Sequence, residues 1–129
     1  MIVVDASALV AIAIREQECA AFQQALRTAS SAQIAAVNFL ETGMVLLQRG
    51  FIADLGELED LIGFYGVTLC EDAGLARGAF RAFQVYGKGR HPARLNLADC
   101  FAYALAKQLD LPLLYKGDDF SKTDIRSAI

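Results

Sequence analysis

Short uninterrupted apolar runs alternate along this chain with longer stretches of helical periodicity, and this alternation constrains the fold more than any other feature. Ile2-Val3-Val4 and Leu113-Leu114-Tyr115 are apolar at every position, the pattern of strands buried on both faces. Gln33 to Ala36 and Val67-Thr68-Leu69 read as two further short strands. Between them the spacing predicts helices. One runs over Ala8 to Ile14 with Ser7 as its N-cap, and another over 16–29, where Cys19, Phe22 and Leu26 share a face. A third opens at Asn38 and runs to about Gln48, where Gly50 ends it. The remaining helices cover 53–65, Asp72 to about Val85, and Asn96 to about Leu109. Strands alternating with helices imply an α/β fold with a central parallel sheet and helices packed on its faces. Strand order does not follow from the pattern.

At 129 residues the chain is expected to form a single domain spanning 1–129. A hydrophobic fraction of 55% supplies ample core, and the mean hydropathy of +0.35 leaves apolar surface over. That surplus suits a protein–protein interface, because no apolar run reaches the roughly 18–20 residues of a membrane span. The N-terminal Met1 to Ile14 lacks a basic leader and carries Asp5 in its middle, so it reads as strand plus helix rather than as a signal peptide. Cys19, Cys70 and Cys100 are widely spaced, with no C-x-x-C pair, which argues against disulfides and a zinc site and for reduced thiols in the cytoplasm.

Acidic residues stand at the junctions of these elements. Asp5 follows the first strand, Glu41 lies in the first turns of the apolar helix, Asp99 opens the helix after Asn96, and Asp118-Asp119 follow the last strand. In an α/β sheet, strand C-termini and helix N-termini gather on one edge, where ligands bind. Carboxylates that converge there repel one another unless they hold a cation, and all-oxygen donors favour Mg²⁺ or Mn²⁺. Each station also has a purely structural reading. Asp5 could cap a helix or end a turn, and Asn38-x-x-Glu41 and Asn96-x-x-Asp99 have the spacing of capping boxes. Asp118-Asp119 after Gly117 could be an Asx turn, and adjacent aspartates rarely both bind one ion. The helix around Glu41 is apolar nearly all round, which predicts burial, and a buried carboxylate is costly unless paired or metal-bound. On a helical wheel Asp99 lies opposite the stripe of Leu97, Phe101 and Leu105.

The formal net charge of −3 at first disfavours a nucleic-acid partner. The distribution qualifies this: Lys88, Arg90, His91 and Arg94 fall between positions 88 and 94, preceded by Arg77 and Arg81. A basic rim beside an acidic pocket suits a polyanion held over a metal, although a solvated basic loop would have the same composition. The Gly87-Lys88-Gly89-Arg90-His91-Pro92 stretch reads as a flexible loop. His91 is the single histidine and follows no G-x-S-x-G motif, which weakens Ser-His-Asp and Cys-His mechanisms; H-E-x-x-H zinc sites and the P-loop spacing are absent.

Taken in order, Ile2-Val3-Val4-Asp5-Ala6-Ser7-Ala8-Leu9-Val10, Phe39-Leu40-Glu41-Thr42, Tyr86-Gly87-Lys88-Gly89-Arg90-His91, Leu95-Asn96-Leu97-Ala98-Asp99-Cys100-Phe101 and Pro112-Leu113-Leu114-Tyr115-Lys116-Gly117-Asp118-Asp119-Phe120 cover essentially the whole chain. This ordered set resembles the PIN-domain ribonucleases, particularly the VapC toxins of type II toxin–antitoxin pairs. The resemblance implies a three-layer α/β/α PIN fold and Mg²⁺- or Mn²⁺-dependent endoribonuclease activity on RNA. It also implies inhibition by a cognate VapB-type antitoxin, and a homodimer. Residue by residue, Asp5 and Asp99 match the family's principal metal ligands and Glu41 its third acidic residue; the fourth falls in Gly117-Asp118-Asp119-Phe120, with Asp119 favoured over Asp118. Leu97-Ala98 departs from the aromatic–glycine pair common before that aspartate. Arg90 and Arg94 are candidates for substrate phosphates. The rival reading from another class is a PIN-like module that binds protein or RNA without cutting it. A metal-dependent phosphatase or DNA nuclease is a further rival, because 2′-hydroxyl contacts cannot be located in a sequence.

Overall fold

The computed structural model describes residues 1–129. Its elements are β1 (Ile2–Val4), α1 (Ala6–Ala13), α2 (Cys19–Thr28), β2 (Ala32–Ala35), α3 (Ala36–Gln48), α4 (Leu55–Phe64), β3 (Val67–Cys70), α5 (Leu75–Tyr86), α6 (Leu97–Leu109) and β4 (Leu113–Leu114). A 3₁₀ turn, Phe120–Lys122, follows β4. The four strands are parallel in the order β3-β2-β1-β4, with Val3 opposite both Gln33 and Leu113.

The uninterrupted apolar runs are explained by two cores, one on each face of the sheet. Successive side chains of a strand point to opposite faces. Ile2, Val4, Ile34 and Leu114 accordingly pack with Leu9, Ile12, Phe22, Leu26 and Ile62 of α1, α2 and α4. Val3, Ala35 and Leu113 pack instead with Leu75, Ala79, Cys100 and Leu105 of α5 and α6. The result is the three-layer α/β/α arrangement. Helix α3 starts directly after β2 and packs against both α1 and α6, bridging the two helical layers.

Several local expectations are corrected. Helix α1 begins at Ala6, with Asp5 rather than Ser7 as N-cap, because the Asp5 carboxylate accepts the Ser7 backbone N–H. The second helix is shorter than 16–29, beginning at Cys19. Asn38 is not the cap of α3: the helix starts two residues earlier, at Ala36, and Asn38 lies inside its first turn, fully buried. That helix is not buried all round, since Leu40, Met44 and Leu47 are 55–60% exposed. Helix α6 buries itself mainly through small residues, Ala98, Cys100, Ala102 and Ala106 beside Leu105, while Leu97 is exposed.

Loop 87–95 is not free. Lys88 N–H donates to the Leu95 carbonyl and Leu95 N–H to that of Tyr86, closing its base, while His91 and Arg90 N–H both donate to the Gly87 carbonyl. The His91 ring packs edge-on to Tyr86, and its Nδ1 accepts the Ala93 N–H at 3.0 Å. The basic segment is therefore a tied loop leading into the N-terminus of α6.

Candidate active site

The sheet order places the chain's reversal at β1: β2 lies on one side of it and β4 on the other. A crevice opens at the carboxyl end of strands at such a switch point. Asp5 occupies that end. It is only 3% exposed, and its backbone N–H donates to the Leu114 carbonyl at 2.9 Å, locking it beside β4. One carboxylate oxygen, Oδ2, accepts the Ser7 backbone N–H at 3.0 Å and the Ser7 hydroxyl at 2.5 Å. The other, Oδ1, accepts the Asn38 amide at 3.2 Å. Burial raises the Asp5 pKa, and the Ser7 hydrogen bonds oppose that rise.

Asp99 reaches the same place from α6. It is the third residue of that helix, and the Asn96–Asp99 capping box forms in both directions at 2.9 and 3.0 Å. The cap does not exclude a place in the pocket, because only Oδ2 accepts the Asn96 N–H. Burial pushes Asp99 up to about 6; the Asn96 N–H opposes this, and the charges of Asp5 and Asp119 add to it. Glu41 arrives from α3, one helical turn beyond Asn38. Burial, then the charges of Asp5 and Asp99, push it up to about 7. No capping box forms with Asn38.

A pocket of about 290 Å³ is lined by Asp5, Glu41 and Asp99 together with Ser7, Glu16 and Lys116. Asp118 and Asp119 are exposed and do not line it, although Asp119 is near enough for its charge to act on Asp99. Arg90 and Arg94 are exposed on the tied loop, outside this lining; Arg90 Nε donates to the Gln84 carbonyl at 3.0 Å.

Glu16 and Lys116 were not singled out by the sequence. Lys116 forms ion pairs with Glu16 and Glu18, and its backbone N–H donates to the Ser7 hydroxyl at 3.0 Å. Its position two residues after β4 was a usable signal, since residues following strands line the ligand edge. Glu16 carried no such signal. Arg15 adopts a left-handed conformation (φ 57°), and Glu16 N–H donates back to the Ala11 carbonyl, folding the chain towards the pocket. Arginine is not a residue from which that turn can be read.

The donor set consists of carboxylate oxygens, the chemistry that suits Mg²⁺ or Mn²⁺. The shared upward shifts of Asp5, Glu41 and Asp99 mark excess negative charge in a desolvated place, which a divalent cation relieves. The side chains are not closed into a ready cage: no group of three or more His, Cys, Asp or Glu residues stands close enough to hold an ion. The residues fit a cation in kind.

Comparison with known proteins agrees with this architecture. The family model described as "PIN domain" matches residues 2–126. Ribonuclease VapC42 of Mycobacterium tuberculosis is 41% identical over 129 residues, covering 98% of each chain. Ribonuclease VapC30 of the same organism is 39% identical over 127 residues, covering 95% of each. A ribonuclease VapC of Mycolicibacterium smegmatis is 40% identical over 124 residues, covering 95% and 96%. The crystal structure of M. tuberculosis VapC20, described as a sarcin–ricin loop cleaving toxin, superposes with a TM-score of 0.76 over 97% of this chain and 96% of that one. At 16% identity that likeness speaks for the fold. Strand order, a carboxylate-lined pocket at the switch point and relatives matched over nearly their full length lead to one assignment: the chain belongs to the PIN-domain family, among its VapC ribonucleases.

Proposed function

We propose that the chain is a Mg²⁺- or Mn²⁺-dependent endoribonuclease and the toxin half of a VapBC-type toxin–antitoxin pair. The observation that carries this reading is the convergence of Asp5, Glu41 and Asp99, from β1, α3 and α6, on one pocket. A protein that only binds a partner has no use for three carboxylates whose burial costs stability. Asp5 and Asp99 would hold the cation, with Glu41 and Asp119 completing its surroundings. Bound there, Mg²⁺ or Mn²⁺ supplies Lewis acidity for attack of water on phosphorus and neutralises charge on the leaving oxygen.

The chain's own groups do the rest. Glu41, which lines the same pocket, would accept a proton from the attacking water. Ser7 ties one oxygen of the Asp5 carboxylate through its backbone N–H and its hydroxyl. Cleavage of the P–O3′ bond leaves a 5′-phosphate and a 3′-hydroxyl. Arg90 and Arg94, exposed on the tied loop entering α6, would meet substrate phosphates. The double replacement Arg90→Ala/Arg94→Ala is expected to raise KM for RNA about three- to tenfold with kcat little changed, and to flatten the salt dependence of cleavage. An unchanged salt slope would remove both residues from the substrate path.

The antitoxin would dock on the exposed apolar stripe of Leu40, Met44 and Leu47 on α3, the helix that also carries Glu41. An amphipathic helix fits such a surface, and a basic side chain from it could enter the acidic pocket. Phe80 and Phe83, one turn apart on α5 and exposed, would be covered in a homodimer.

Incubation with total cellular RNA plus Mg²⁺ or Mn²⁺, repeated with EDTA, tests the reading. Discrete fragments bearing 5′-phosphates, lost on chelation, are expected. Intact RNA with every metal, from protein shown to be folded, would favour the non-catalytic binding module.

A further inference from the structure

Asn38 is the polar residue that the acidic reading leaves without a part, and its surroundings give it one. It is wholly buried in the first turn of α3, at a position the flanking apolar residues would fill with leucine. Its side-chain amide donates to Asp5 Oδ1 at 3.2 Å and to the Ala98 carbonyl at 3.0 Å. Ala98 immediately precedes Asp99, and Glu41 stands three residues further along the helix that carries Asn38. One amide group thus joins the three elements that supply the three pocket carboxylates.

The orientation of that amide is informative. Asn38 Oδ1 is enclosed and has no hydrogen-bond partner. Turning the amide over would not help, because it would set Oδ1 against the Asp5 carboxylate and the Ala98 carbonyl, two acceptors. The site therefore demands a neutral donor and leaves an acceptor unpaired, a burden an apolar side chain would not carry. Aspartate has the right shape but would add a charge against Asp5. Serine and alanine would fall short of one or both partners. With Ser7 holding Oδ2 and Asn38 holding Oδ1, the Asp5 carboxylate has each oxygen tied from a different side.

We infer that Asn38 is a positioning residue for the reaction: its amide holds the Asp5 carboxylate and the first turn of α6 in register, so that Asp5 and Asp99 face one cation. The inference rests on the metal-nuclease reading above. It assigns Asn38 no contact with RNA or with the reacting atoms.

The test compares wild type with Asn38→Leu, which keeps the branched skeleton at a larger volume and removes both donors, and with Asn38→Ala as a second variant should the first fail to fold. Binding of Mn²⁺ to the RNA-free protein is measured by calorimetry, the melting temperature by circular dichroism, and kcat and KM on a cleaved RNA. Loss of a group that orients a metal ligand typically costs about 10–100-fold in metal affinity or activity. A Mn²⁺ dissociation constant raised by about that factor is expected, together with a fall in kcat and an unchanged KM. A purely structural role would lower the melting temperature and leave Mn²⁺ affinity and kcat per folded molecule at wild-type values. That outcome, in either variant that folds, overturns the inference. A wild-type protein that binds no Mn²⁺ and cleaves nothing overturns the nuclease reading itself, and the two failures are distinguished by the wild-type measurement alone.

Discussion

Asp99→Asn is expected to lower RNA cleavage by about a thousandfold or more, since several kcal/mol of metal-borne stabilisation are at stake and each 1.36 kcal/mol is a decade in rate. The substitution is chosen because it spares the fold. The asparagine side-chain oxygen can still accept the Asn96 N–H, and Asn96 Oδ1 still accepts the N–H of residue 99, so the capping box of α6 persists. What disappears is one negative charge from a group whose pKa is pushed up to about 6, chiefly by burial. Two further consequences follow from the same charge. Glu41 loses one of the two neighbours that raise its pKa, so its titration should move down. The metal-free variant should melt at or above the wild-type temperature, while the stabilisation by Mn²⁺ should shrink. Single-turnover cleavage and thermal melting with and without Mn²⁺ check these together. Cleavage within tenfold of wild type would remove Asp99 from the metal-binding set.

The metal-free protein is also expected to be more stable at pH 5 than at pH 8. Glu41 moves from an ordinary 4.5 to about 7 and Asp99 from 3.8 to about 6, and Asp5 moves in the same direction. A carboxyl whose pKa is raised by folding binds its proton more tightly in the native state. Native stability therefore falls as pH rises from the unfolded pKa values near 4 to the folded values near 7, and is flat above them. Asp72 and Asp124, whose pKa values are lowered by hydrogen bonds from Gln108 and Tyr103 respectively, act oppositely, but only in the acid range around and below their ordinary 3.8. Glu41 is partly open to solvent, so its share is discounted for screening. A rise in Tm on the order of 5 °C between pH 8 and pH 5 corresponds to about 1 kcal/mol for a domain of this size. Saturating Mn²⁺ should reverse the trend, because metal binding needs the deprotonated carboxylates. A Tm that is flat or rising from pH 5 to 8 without metal would mean that the three carboxylates do not share one desolvated pocket.

Asn38 and Asn96 show how far the chain could be read without its fold. Both stand three residues before an acid, and both invite a capping box. At Asn96 the box forms, because helix α6 starts there and Asn96, itself exposed, is free to serve its own helix. At Asn38 it does not, because α3 starts directly from the end of β2 and carries the asparagine inward, onto Asp5. The same local pattern has two outcomes, decided by which element lies against it.

The apolar helix around Glu41 teaches the converse lesson. Burial was expected of the whole helix, yet one face is open at Leu40, Met44 and Leu47 while Glu41 is drawn into the pocket. Composition alone cannot separate an apolar surface made for the core from one made for a partner.

Periodicity, uninterrupted apolar runs and the placement of acids at element ends were sufficient for the α/β class, the parallel strands and the expectation that Asp5, Glu41 and Asp99 converge, as they do on one pocket. These signals act between near neighbours in the chain, where backbone geometry dictates which side chains share a face. The order β3-β2-β1-β4, the joining of three elements by the Asn38 amide, and the arrival of Glu16 and Lys116 at the pocket belong to tertiary packing. They depend on which strand pairs with which and on what is thereby desolvated, quantities set by contacts between residues as much as 109 positions apart.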